Sequence, residues 1–106
     1  MLPPKESAMK IIKIEACDWK SIDDFYVSIK RSLMSPSWHG DNINALIDSI
    51  VYGDINGVTP PFKVIIVGLA GADSEVRSHV MMAAQYLTEA IQQEGKSCII
   101  AIEAKD

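Results

Sequence analysis

Three short apolar, β-branched runs, Lys10–Ala16, Phe62–Val67 and Ser97–Glu103, are separated by longer segments with helical periodicity, and this alternation most constrains the fold. Strands separated by helical segments favour parallel pairing through crossover connections. Phe62-Lys63-Val64-Ile65-Ile66-Val67 has few polar positions and reads as the central strand. The expected fold class is therefore α/β: a small three-stranded parallel sheet with three main helices packed on it.

The helical segments carry their own start and stop signals. Ser21, followed three residues later by Asp24, resembles a capping box with Asp in place of the usual Glu or Gln. Phe25, Tyr26, Ile29 and Leu33 then recur at helical spacing, so a first helix is expected over Ile22–Met34, stopped before Pro36. A second, shorter helix is expected to begin at Gly40–Asp41. Ile43, Leu46, Ile47 and Ile50 form its apolar stripe, while Asp41, Asn44, Ala45 and Asp48 share the opposite, solvent-directed face. Gly53 to Pro61 is a turn-rich loop. The longest helix is expected to be capped by Asp73 or Ser74, with Val76, Val80, Ala83, Ala84, Leu87 and Ile91 keeping the helical repeat until Gly95. Met81 and Met82 read as core filler, and His79 as a surface or boundary residue.

A length of 106 residues, with 48% hydrophobic and 23% charged residues, suits one domain over 10–106 behind a flexible lead-in at 1–9. Of the net charge of −4, the stretch from Ser32 to Phe62 supplies three, through Asp41, Asp48 and Asp54, with no Lys or Arg to offset them. Direct nucleic-acid binding runs on clustered Lys and Arg, so this balance argues against it. It suits a basic protein partner, because a one-signed polar face steers encounter and fixes register. Met1–Lys10 has neither an apolar core nor a small-residue cleavage site, and no apolar run approaches the ~18 residues a membrane span needs. Cys17 and Cys98 are too few for a disulfide framework and read as small buried hydrophobes. The expected location is the cytoplasm, with no membrane contact.

Catalytic chemistry finds little support. The two histidines, His39 and His79, lie in no recognisable nucleophile motif, and His39-x-Asp41 lacks a third metal ligand at a standard spacing. Asp48 with Asp41 or Asp54 could pair for acid–base work, but nothing apolar nearby separates their pKa values. No catalytic residue, metal or cofactor is expected. Gly68-Leu69-Ala70-Gly71, running from a strand into a helix, could bind phosphate or a nucleotide through backbone N–H groups, but it lacks the Lys and Ser/Thr of a P-loop and reads better as a tight turn. Trp38 is either an exposed interface anchor beside acidic groups or a packing residue of the loop against the first helix.

Taken together, Ser21-Ile22-Asp23-Asp24-Phe25, the run from Pro36 through Trp38-His39-Gly40-Asp41-Asn42 to Asp48, and Pro60-Pro61 before the central strand resemble the barstar family of ribonuclease inhibitors. The likeness spans about Lys10 to Glu103, and Glu94-Gly95 fits the family's ending. It implies a protein, monomeric when free, that binds a small basic ribonuclease or related nuclease toxin and blocks its active site with the second helix and the loop before it. On that likeness Asp48 matches the carboxylate that sits in place of the substrate phosphate, Asn42 a contacting Asn, and Gly40 the Gly that permits close approach. Trp38 stands where the family places a Tyr. The implied binding residues are Trp38, His39, Gly40, Asp41, Asn42, Asn44, Ala45 and Asp48. Two departures thin or reshape this surface: Asn44 stands where the founding member has an Asp, and Ile47 where it has a Trp. A further acidic contact falls on Ala90, with Glu89 only adjacent. A partner other than a ribonuclease, on the same fold, is the other reading.

Overall fold

The computed structural model describes residues 9–35, 40–53, 56–58 and 60–103. Strand β1 (Lys10–Glu15) leads through a buried Trp19 into α1 (Ile22–Leu33). Helix α2 (Ile43–Ile47) continues directly into a π-helical turn over Asp48–Gly53. Strand β2 (Phe62–Val67), a 3-10 turn at Leu69–Gly71, α3 (Ser74–Glu94) and β3 (Cys98–Glu103) complete the order. The strands form one sheet in the order β1-β2-β3, both pairs parallel, with Lys10, Phe62 and Cys98 in register. The expected α/β architecture is thus the one observed.

The period-2 alternation of β2 sorts its residues between two faces. Phe62, Val64 and Ile66 enter the main core with Ile14, Phe25, Ile29, Leu33, Val80 and Leu87. Full burial of side chains of this size stabilises by about 1.5–3 kcal/mol each relative to exposure. Ile65 and Val67 point to the other face and are buried outside that cluster, where Ile11 and Ile99 on the flanking strands are exposed. Helix α1 packs on β1 and α3 on β3, and the two helices meet where Tyr26 Oη lies 2.6 Å from His79 Nε2. His79 is half-buried there, edge-on to Phe25 and Tyr26, so it is a boundary residue with a defined partner.

The helix ends follow local chemistry. Ser21 and Asp24 form a reciprocal capping box on α1. At the other end Met34 adopts the left-handed conformation (φ 58°), and the N–H groups of Met34 and Ser35 close on the carbonyls of Arg31 and Lys30. Gly95, with φ 65°, closes α3 in the same way without the side-chain cost.

Three sequence expectations need correction. Met81 and Met82 are exposed, because Val80 and Ala83 already occupy the inward stripe and the 3.6-residue period turns the pair between them outward. Cys17 is exposed, since β1 ends at Glu15 and the last inward position is Ala16, whereas Cys98 is buried as expected. Burial raises the Cys98 thiol pKa, with Lys96 pulling weakly the other way. Helix α2 begins at Ile43, behind an Asn42 cap, two residues later than Asp41 and three later than Gly40.

Candidate functional site

Helix α2 is set by one asparagine. Asn42 is extended (φ −151°, ψ 168°), and its Oδ1 accepts the Ala45 N–H at 2.8 Å while its carbonyl accepts the Leu46 N–H at 3.0 Å. The acceptor end of Asn42 is therefore committed to the helix. Its Nδ2 lies against Gly40, where an added Cβ would sit 3.0 Å from it. Gly40 is thus held by close approach as well as by its place in the chain.

From this cap Ile43, Leu46 and Ile47 face inward, with Leu46 2% exposed, and Asp41, Asn44 and Asp48 stand exposed with Ala45 half-buried beside them. A regular helix would carry that division onward, but past Asp48 the chain widens into the π turn. Ile50 and Val51, seven and eight residues after Ile43, remain on the inward stripe. Ser49 also becomes buried and satisfies its hydroxyl on the Leu46 carbonyl at 3.1 Å. Asp48 marks the point of widening, and its backbone N–H closes the α-helical part on Ala45 and Asn44.

The unit containing α2 is tied to the last turn of α1 at both ends. Behind it, the N–H groups of Gly57 and Val58 donate to the carbonyls of Met34 and Leu33 at 3.0 and 3.1 Å. Buried Asn56 accepts from Ser35 Oγ at 2.5 Å and donates to the Ser49 carbonyl at 3.4 Å. In front, Lys30 Nζ lies 2.6 Å from Asp41 Oδ1. The 32–62 stretch has no cation of its own, but α1 supplies one just outside it. Asp48, by contrast, makes no ion pair with any described residue, which leaves it the open carboxylate of the described part of this face.

Of the residues singled out from sequence, Gly40, Asp41, Asn42, Asn44, Ala45 and Asp48 come together on this unit, while Trp38 and His39 lie outside the described residues. Sequence reasoning missed Lys30, Ser49 and Asn56. Only the cap was available locally: an Asn immediately before the first residue of the apolar stripe is a helix-start signal.

The glycine turn does not offer a phosphate cradle. Gly68 has φ 74°, and a Cβ added at Gly71 would sit 3.0 Å from the Cys17 carbonyl oxygen, so both glycines are explained by the close passage of the segment after β1. The N–H groups of Gly71, Ala72 and Asp73 already donate to the carbonyls of Gly68, Leu69 and Trp19. The Glu15 carboxylate beside Gly68 adds charge of the wrong sign for phosphate. Among the described residues no three His, Cys, Asp or Glu side chains converge as a metal site would require, and no helix is long and apolar enough to cross a membrane.

No curated protein sequence matches the chain. The Barstar (barnase inhibitor) family profile matches residues 9–103, which spans every strand and helix above. A three-stranded parallel sheet, three helices and a family match over nearly its whole length establish that this chain belongs to the barstar family.

Proposed function

We propose that the protein is a non-enzymatic inhibitor of a small basic ribonuclease, acting as a monomer in a 1:1 complex that covers the enzyme's active site. The observation that carries the reading is Asp48: an exposed carboxylate with no intramolecular ion pair to any described residue, fixed at the junction of α2 and the π turn and flanked by Asn44 and half-buried Ala45. Ribonuclease sites are built from cationic groups that bind phosphate, so a helix-borne carboxylate inserted there replaces the substrate phosphate in charge and in hydrogen-bond geometry. Ala45 leaves room for close approach, and Asn44 adds neutral hydrogen-bonding capacity. Trp38, His39, Gly40 and Asn42 make up the rest of the proposed surface around the Lys30-paired Asp41, with Trp38 as its aromatic anchor.

The described face carries two carboxylates, Asp41 and Asp48, and one of them is paired with Lys30. This favours a cognate enzyme with fewer cationic contacts around its phosphate pocket than an all-acidic inhibitor surface would meet. Such an inhibitor would work in the cytoplasm, protecting a cell from a ribonuclease made or received there. The test is association kinetics with a barnase-type ribonuclease at several ionic strengths. A 1:1 complex whose kon falls as salt rises supports the reading. A complex with a salt-independent kon, or no complex, counts against it.

A further inference from the structure

Helix α2 spans five residues, far below the length at which a helix sustains itself in water, so its position depends on what it is fastened to. The fastenings converge on one place. Residues 56–58 bond to Leu33, Met34 and Ser35, and Asp41 bonds to Lys30, so the end of α1 is the platform for the whole unit. The front fastening differs from the others in being a charge-assisted bond between side chains, just ahead of the N-cap Asn42. The Lys30 side chain is only 13% exposed, whereas Asp41 is 42% exposed. The lysine stem is therefore packed and only its head reaches out, which limits the rotamer freedom lost on pairing. An ordinary surface ion pair has both side chains in solvent and contributes little.

We propose that Lys30 is a positioning residue for the inhibitory face: it latches the N-terminal end of α2 through Asp41, and Asp41 serves as that anchor and not as a contact for the partner. The proposal rests on the inhibitor reading above for its functional half only. When the latch is lost, the binding-competent arrangement of α2 becomes a smaller fraction of the population, and apparent affinity falls by that fraction.

The experiment uses the full chain with Lys30→Gln, Asp41→Asn and the charge-reversed pair Lys30→Glu with Asp41→Lys. Two kinds of measurement are made: hydrogen exchange of the Ala45 amide, which Asn42 caps, in the free protein, and binding kinetics (Kd, kon and koff) with a barnase-type ribonuclease. Each single variant is expected to speed Ala45 exchange and to weaken binding by about 3-fold, mainly through a lower apparent kon, because fewer free molecules are competent to bind. The reversed pair is expected to return both toward wild type. Unchanged Ala45 exchange in Lys30→Gln overturns the latch. Restored exchange with binding still as weak as in Asp41→Asn overturns the assignment of Asp41, because it would then touch the partner. If the wild type binds no such ribonuclease, exchange still decides the latch, and the missing complex counts against the inhibitor reading alone.

Discussion

Replacing Asn56 by alanine removes the one side chain that joins the π turn to the end of α1 among the described residues. Asn56 is 7% exposed, accepts from Ser35 Oγ at 2.5 Å and donates to the Ser49 carbonyl at 3.4 Å. The first bond is worth about 1 kcal/mol net and the second, at the limit of hydrogen-bond length, about half that. Leaving the Ser49 carbonyl without its side-chain donor beneath the π turn adds about 1 kcal/mol more. The sum, about 2.5 kcal/mol, corresponds to a fall in Tm of about 10 °C for a domain near 100 residues. Urea unfolding at neutral pH measures the free energy and calorimetry the Tm. Hydrogen exchange localises the effect, with the amides of Leu46 to Val51 losing more protection than those of α3. Asn56→Ala combined with Ser35→Ala should cost less than the two single changes added together, because they share one bond. A loss below about 0.5 kcal/mol, or one spread evenly over the fold, would refute the reasoning that Asn56 fastens the site to α1.

Gly68→Ala should destabilise by about 2 kcal/mol, from the left-handed backbone (φ 74°) and a Cβ placed 2.6 Å from Glu15 Oε2; wild-type stability by urea unfolding would contradict this. Burial raises the Tyr26 phenol above its ordinary 10.0, so the folded form holds its proton after the unfolded chain has lost it. Stability should therefore fall as pH climbs above about 10, and Tyr26→Phe should flatten that alkaline limb. The backbone N–H groups of Lys20 and Ser21 hold the Asp24 carboxyl below 3.8, so its contribution is present above that value and lost as pH falls through the lower folded value. Asp24→Asn should weaken the acid dependence of unfolding, and an unchanged acid limb would remove the capping box from the account.

Strand positions were legible in the sequence because the runs are short, branched and bounded by turn residues, and β2 falls at Phe62–Val67 as expected. The capping box at Ser21 and Asp24 and the Gly95 cap were legible because their signals are local. The exposed face of α2 could be read from the helical period as far as Asp48. What lay beyond was set by contacts distant in sequence. The π turn accompanies the burial of Ser49 and Asn56, a polar residue from a loop whose composition says only that it turns. The Lys30–Asp41 pair spans a loop, so the charge count of the 32–62 stretch overstated the acidity of the site. Met81 and Met82 face outward because helical phase, which hydrophobicity alone does not carry, sets them between the inward Val80 and Ala83, and Cys17 is exposed because strand pairing ends at Glu15.

The central claim is that Asp48 occupies the phosphate position of a ribonuclease, and the most direct measurement is inhibition of RNA cleavage by wild type and Asp48→Ala. Truncating one partner of a buried charge pair costs on the order of 2–5 kcal/mol or more, a general range informed in part by this family's founding complex. The account predicts stoichiometric inhibition of a barnase-type ribonuclease by wild type and a Ki weakened by roughly 30-fold to several thousand-fold in Asp48→Ala, with the free variant folded as before. Equal inhibition by the two proteins, or none by wild type, would contradict it.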